Sequence, residues 1–313
     1  MKTIGVGLAT YNGEYFIKEQ VDSILDQTLN PDEIVIVDDC SSDCTYEILK
    51  SYSSKYDFIK LYKNKENLGF ARNFQKVLSL CESDYVALSD QDDKWLPNKL
   101  EACMQTLQKG NSTTNKICYH DAILMYEDGR YLKNTTFHNL SHYKYPLSQE
   151  DALQYLLRFT VPVLGFMMFF DSYLVKKYIN FFPIGKWATH DWFLCILYYS
   201  FFSPVFIEEP LACYRLHSRQ ASGAIDYLLE NTKYDIKKKP TRQRIAAEWK
   251  RFIDRANIKK RKKIEQTERS AERILALESL SQIVKDMDED YVDVSKKQKL
   301  LDSLKITIDE LSC

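Results

Sequence analysis

No two cysteines of this 313-residue chain stand at CxxC spacing, and no histidine falls where a zinc site would need one. Cys40 and Cys44 are the closest pair, and they flank a Ser/Asp turn with no partner cluster. Eight cysteines scattered in this way read as the reduced thiols of a cytoplasmic protein rather than as a disulfide framework. No run reaches the roughly eighteen apolar residues that a spanning helix needs. The nearest, "WFLCILYYSFF", reads as a buried helix. The opening "MKTIGVGLATYNG" has too short an apolar stretch for a secretory leader, so the expected location is cytoplasmic. GxGxxG is missing after the first apolar run, and "GVG" at 5–7 lies inside that run, which excludes a dinucleotide-dependent dehydrogenase. There is no internal repeat. No recognised nucleic-acid motif accompanies the basic residues, so nucleic acid is not an expected partner.

What is present is a globular composition, 45% hydrophobic and 28% charged, long enough for one larger domain with an appendage. The formal charge of −1 hides an asymmetry. Residues 234–263 carry thirteen Lys/Arg against three Asp/Glu, so a basic segment is attached to an acidic body. Within it, "RQRIAAEWKRFIDRANIKKRKK" puts Ile245, Trp249, Phe252, Ile253 and Ala256 on one helical stripe. Such a helix suits an anionic membrane surface, which would place the protein peripherally on the inner face of the membrane. It equally suits docking on the body with its charges in water. "ERILALESLSQIV" and "LLDSLKITIDEL" are amphipathic helices that either pack together or dimerise, so a homo-oligomer is one expectation.

Strand and helix alternate four times over the first part of the chain. "TIGVGLAT", "DEIVIVDD", "IKLYKN" and "DYVALSD" are the strands; the segments between and after them carry apolar residues at helical spacing. Pro97 marks the start of the fourth helix. The pattern predicts a mostly parallel α/β sheet flanked by helices. After about residue 115 it changes to a hairpin around Asp128-Gly129, an apolar segment containing Gly165, an apolar helix from Thr189-His190 and, in "VFIEEPLACYRLHSRQASG", short strands that fade into a polar, Gly-containing loop. The expected boundary separates a catalytic domain at 1–225 from a helical region at 226–313.

Ligands of parallel sheets sit at the carboxyl ends of the strands, and the polar clusters fall there. Thr10-Tyr11-Asn12 follows the first strand, Asp38-Asp39 the second and "SDQDDKW" the fourth. Three close carboxylates, Asp90, Asp92 and Asp93, repel one another unless a cation joins them, and oxygen ligands favour Mg²⁺ or Mn²⁺. A metal held by one or two carboxylates leaves room for a diphosphate. The bland alternative is a solvated acidic turn. Asp38 offers a hydrogen bond to a base or ribose, or else an Asx turn capping the next helix. His190-Asp191 opens an apolar helix, where an ionised Asp191 is helped by the helix dipole and suits a general base; a plain cap is the other reading. Arg215 suits phosphate and His217 a metal.

In order along the chain, "ATYNGEYFIKEQVDSILDQT", "IVIVDDCSSDCT", "NLGFARNF", "SDQDDKWLPNKL", "HDWFL" and "YRLH" resemble the family 2 inverting glycosyltransferases of GT-A fold, over roughly residues 3–223. The resemblance implies that Thr10, Tyr11 and Asp38 line a nucleotide pocket with Asp39 beside them. Asn12, Asn73 and Gln91 are further expected donor contacts. Asp90 and Asp92 are the D-x-D pair, with Asp92 nearest the metal and His217 a second metal or diphosphate contact. Asp191 is the base. Gly165 leaves space where acceptor and donor sugar meet, and Trp95 and His190 border that pocket. "SDQDD.W" with "HDWFL" and "YR.H" is similar to the rhamnosyltransferase-like branch, which implies dTDP-L-rhamnose as donor and a glycan or lipid-linked acceptor of bacterial surface polysaccharide. UDP-sugars are the alternative donors. "SRQASG" after "YRLH" departs from the commoner Asn-containing pattern. A pyrophosphorylase would carry a Gly-rich basic loop after the first strand, where this chain has "TYNGEYFIKEQ". A non-catalytic nucleotide-sugar-binding scaffold is the reading outside the enzymes.

Overall fold

The computed structural model describes residues 2–111, 113–140, 145–185, 188–217 and 266–312. The expected boundary at 225/226, the "SRQASG" loop, Pro240 and the basic stripe with Trp249 lie outside the described residues.

The first half of the chain alternates as its sequence dictates: β1 (Ile4–Thr10), α1 (Ile17–Leu25), β2 (Glu33–Asp38), α2 (Thr45–Ser53), β3 (Ile59–Lys63), α3 (Phe70–Leu80) and β4 (Tyr85–Ser89). Every residue of β1 and β2 is buried, which is why both read as continuous apolar runs: helices cover both faces. Along α3, Ala71, Phe74, Val77 and Leu78 form the single buried stripe of an amphipathic helix.

Then come β5 (Lys94–Trp95), α4 (Lys99–Lys109), β6 (Ile117–Tyr126), β7 (Tyr131–Thr136), α5 (Phe137–Leu140), α6 (Gln149–Leu157), a 3₁₀ turn at Gly165–Met167, β8 (Met168–Asp171), α7 (Tyr173–Tyr178), α8 (His190–Phe201) and β9 (Val205–Leu216). β6 and β7 form the expected hairpin. In α8 every residue except Asp191 is buried. A helix that is apolar all round belongs in a core, and the one position left open is its acid.

The strands run in the order β3-β2-β1-β4-β8-β6-β9-β5 in one sheet, with β7 beside β6. β3, β2, β1 and β4 are parallel. Beyond β4 the sheet is mixed: β8 is antiparallel to β4 and β6, β9 parallel to β6, and β5 antiparallel to β9. The short strands expected after residue 204 are one twelve-residue strand whose register to β6 shifts around Asp121 and Pro210. The winding direction switches between β1 and β4, and the crevice outside such a switch point is where open sheets hold ligands.

The C-terminal helices α9 (Gln266–Lys285) and α10 (Val294–Ser312) pack on each other and on the body. Leu277, Leu280, Ile283, Val284, Leu300 and Leu304 are buried in the same core as the sheet, each contributing roughly 2 kcal/mol. Tyr291, between the helices, has its ring 4.5 Å from that of Tyr173, tilted by 34°, and donates to Asp171 Oδ1 at 3.3 Å. Lys296 Nζ donates to the Phe201 carbonyl closing α8. Of the two expectations for these helices, packing together is the one realised within the chain. Among the described residues no helix is long and apolar enough to cross a membrane, and the seven cysteines there are free thiols.

Candidate active site

The loops after β1, β2 and β4 meet at the switch point. Thr10 Oγ1 donates to Asp38 Oδ2 at 3.3 Å. Asn12 takes φ +48°, a left-handed conformation that asparagine tolerates. There its N–H donates to Ser41 Oγ and its Oδ1 accepts Ser42 N–H, both at 2.9 Å. Tyr11 is half exposed, and its backbone exchanges two hydrogen bonds with the Gln91 amide, at 2.8 and 3.0 Å. That exchange fastens the first loop to the acidic loop. Asp38 is fully buried and accepts Ser41 N–H at 3.0 Å, so the Asx turn is formed.

Asp39 and Asn73 turn inward. Asp39 accepts from Asn64 Nδ2, Leu68 N–H and Gly69 N–H at 2.7 to 2.9 Å. Asn73 donates to the Val37 carbonyl and accepts from Asn64. Both are buried, and both hold the 64–69 loop in shape around Gly69, whose φ of +81° favours glycine.

In the acidic loop the carboxyls crowd. Burial first, then the charges of Asp92 and Asp191, push the Asp90 carboxyl well above the usual range. Burial, then Asp92 and Asp90, do the same to Asp93. Arg215 braces the loop from β9. Its N–H donates to Asp93 Oδ1 at 3.1 Å, Nε to the Asp92 carbonyl at 2.8 Å and Nη1 to the Glu127 carbonyl at 3.0 Å, while Nη2 pairs with Glu19. The guanidinium is 2% exposed and lies over the Phe16 ring. Its expected partner was a phosphate; its observed partners are the loop and Glu19. Trp95 is likewise 2% exposed, with its indole beneath Lys99, behind the pocket rather than facing it.

His217 Nε2 lies 2.8 Å from Asp92 Oδ2, and its ring packs 4.7 Å from Phe16. Across the crevice, Thr189 caps α8 through Trp192 N–H, which puts Asp191 in the first turn, at the positive end of the helix dipole. His190 Nε2 touches Asp191 Oδ1, and the imidazole stacks on Phe74 at 4.0 Å. Gly165 makes this possible: a Cβ there would stand 3.0 Å from both Asp191 Oδ1 and His190 Nε2. Its space is taken by the His190–Asp191 pair.

The model of glycosyl transferase family 2 matches residues 6–174, more than half of the chain. The chain belongs to glycosyl transferase family 2. The family 2 chain is 30% identical over 231 residues to the dTDP-rhamnosyl transferase RfbG of Shigella flexneri, covering 69% of this chain and 74% of RfbG. It is 33% identical over 151 residues to the putative teichuronic acid biosynthesis glycosyltransferase TuaG of Bacillus subtilis, covering 48% of this chain and 57% of TuaG. An uncharacterized Mycobacterium tuberculosis protein, Rv1520, is 36% identical over 135 residues, covering 42% of this chain. The chain spans only 38% of the length of that relative. S. aureus TarS 1–349 in complex with UDP-GlcNAc superposes with a TM-score of 0.55 at 16% identity, over 100% of this chain and 92% of TarS 1–349. At that identity the likeness is one of fold, and the fold is GT-A.

Asp92 and His217 offer one carboxylate and one imidazole, and among the described residues no third His, Cys, Asp or Glu closes a cage around them. Such an open donor set suits Mg²⁺ or Mn²⁺, which keep several positions for water and phosphate oxygens. The raised Asp90 and Asp93 carboxyls mark a local deficit of positive charge that a cation relieves. Two residues of this candidate site escaped sequence reasoning. Glu19 pairs with Arg215, and Lys99 is a fully buried lysine beside the acidic loop. Glu19 sits among charged residues on an ordinary amphipathic helix, and Lys99 at a helix start reads as surface.

Proposed function

We propose that this chain is a metal-dependent inverting glycosyltransferase that moves a sugar from a nucleoside diphosphate to a hydroxyl of a glycan or lipid-linked acceptor in bacterial surface polysaccharide synthesis. The observation that carries it is that Asp90 lies within electrostatic reach of both Asp92, the partner of His217, and Asp191, whose carboxylate packs against Gly165. The first donor to test is dTDP-L-rhamnose, on the RfbG relationship and the "SDQDD.W" wording. UDP-sugars are second, on the weaker ground of the TarS complex.

In this reading Tyr11, Asn12 and Asp38 receive the nucleoside, and Asp90 and Gln91 face the diphosphate side. Asp92 and His217 would hold the divalent ion, which when bound neutralises charge building on the leaving diphosphate. Asp191 accepts the acceptor's proton as its oxygen attacks the anomeric carbon, and one displacement inverts the configuration. Asp191 stands in the first turn of α8, where the helix dipole favours a negative charge, and His190 orients it. Holding base and donor in line supplies much of the acceleration. Residues 1–225 form the catalytic unit. The basic stripe within 234–263 contributes a peripheral contact with an anionic inner membrane surface, where lipid-linked acceptors reside.

The test is a donor screen by calorimetry and nucleoside-diphosphate release, with and without Mn²⁺ or Mg²⁺, over dTDP-rhamnose, UDP-glucose, UDP-galactose and UDP-N-acetylglucosamine. Metal-dependent binding of one donor, with inverted product by NMR, supports the proposal. Binding without turnover on any acceptor favours the scaffold reading. No binding to any nucleotide sugar refutes both.

A further inference from the structure

Lys99 is 0% exposed at the start of α4, six residues after the acidic loop ends. Burying an ammonium is costly, and burial draws this one down to about 7. The charged and titratable groups within electrostatic reach are Asp90 and Asp93 of the acidic loop, Cys103 of α4 and Cys118 and His120 of β6. Asp93 Oδ2 is buried without a hydrogen-bond partner, as is His120 Nε2. An ammonium needed only as a counter-charge would bond a carboxylate. Lys99 Nζ instead donates to the carbonyl of Phe166, at 2.7 Å, with its charge 3.8 Å above the Trp95 ring.

Phe166 follows Gly165 in the 3₁₀ turn, and Gly165 is the residue against which His190 and Asp191 pack. Trp95 N–H is in turn held by Ser23 Oγ at 3.0 Å, and the Trp95 strand pairs with β9, the strand that carries Arg215. One hydrogen bond therefore joins the two halves of the site: the acidic loop and its following helix on one side, the turn under the base on the other. We propose that Lys99 is a positioning residue, which by binding the Phe166 carbonyl fixes the spacing between the acidic loop and Asp191. This rests on the transferase reading of the site.

The test compares Lys99→Met, which keeps the stem and removes the N–H donors, with Lys99→Gln, which keeps a neutral donor. In Lys99→Met, donor and Mn²⁺ affinities stay within about threefold while kcat for transfer falls about a hundredfold, the scale of a 1 Å misplacement. Acceptor KM changes little, and Lys99→Gln recovers part of kcat. A crystal structure of Lys99→Met has the 165–167 turn and Asp191 displaced from Asp92. A variant that melts earlier but keeps wild-type kcat overturns the proposal, because a purely structural lysine behaves that way. Failure of Lys99→Gln to recover anything also overturns it, since charge rather than the hydrogen bond is then what matters. The crystallographic arm reads without turnover: an unmoved turn refutes the inference even if the transferase reading stands, and a wild type inactive on every donor refutes that reading while the displacement still decides this one.

Discussion

Gly165→Ala isolates the packing between the 3₁₀ turn and Asp191, the proposed base. The backbone there does not require glycine, so the added methyl acts through contact alone. It would meet Asp191 Oδ1 and His190 Nε2 at 3.0 Å and Leu88 Cδ1 at 3.3 Å, where ordinary contact begins at 3.4 Å. Each polar atom must therefore retreat by about 0.4 Å, well under the displacement that costs a hundredfold. His190 cannot give way easily, because its ring already stacks on Phe74 at 4.0 Å. The base then moves, and kcat falls about tenfold with donor affinity unchanged. Overpacking destabilises by about 1–3 kcal/mol, offset in part by the reduced freedom of the unfolded chain. Steady-state transfer and urea unfolding measure the two effects together. A Gly165→Ala protein with wild-type kcat and wild-type stability would refute the claim that this turn carries the base.

Replacing Arg215 with alanine removes the donor to the Asp92 and Glu127 carbonyls and the ion pair with Glu19, which keeps Lys94, and should destabilise by about 2–3 kcal/mol, read by denaturant unfolding; lysine, lacking the fork, should rescue little. Asp39→Ala leaves the Leu68 N–H without its acceptor and the Gly69 N–H with only Asn67 Oδ1, and should cost about 1–3 kcal/mol on the same assay, before any effect on donor affinity. Asp90 and Asp93 have raised carboxyls, so the stability they give is complete at low pH and is lost as pH rises through their folded values. Mn²⁺ should accordingly raise the melting temperature more near about pH 8 than near about pH 5, and Asp92→Asn should shrink that difference. For Lys99 the depressed value of about 7 means that the unfolded chain binds more protons from there up to 10.5. Its contribution makes stability rise with pH across that window, and Lys99→Met should flatten the slope in calorimetric melts.

The parallel half of the fold was legible because alternation is a local signal: β1 and β2 are continuous apolar runs, β3 and β4 are short strand segments, and helices with apolar residues at 3.6-residue spacing lie between them. The positions of Thr10, Asp38 and the Asp90–Asp93 cluster followed, since polar residues after buried strands mark the open edge. What the sequence hid depends on long-range pairing. β5 is two residues long, and its pairing with β9, the Ser23 hydroxyl of α1 and the Lys99 side chain make Trp95 a buried residue rather than a pocket wall. Arg215 reads as a phosphate ligand until the loop it braces is folded against it. Asp39 and Asn73 sit in site-like wording but serve the 64–69 loop, because their acceptors and donors lie some thirty residues away in the chain. The mixed half of the sheet escaped for a related reason, since a single strand such as β8 carries no mark of its direction.

The most direct measurement is donor binding and transfer by Asp191→Asn beside wild type, with the donor and metal that the screen identifies. The variant keeps the shape of the side chain and removes its basicity. The account predicts metal-dependent donor affinity equal to wild type and a loss of turnover of about 10²- to 10⁴-fold, the worth of a general base. Turnover retained in Asp191→Asn would contradict the assignment of the base, and with it the single-displacement chemistry built on it.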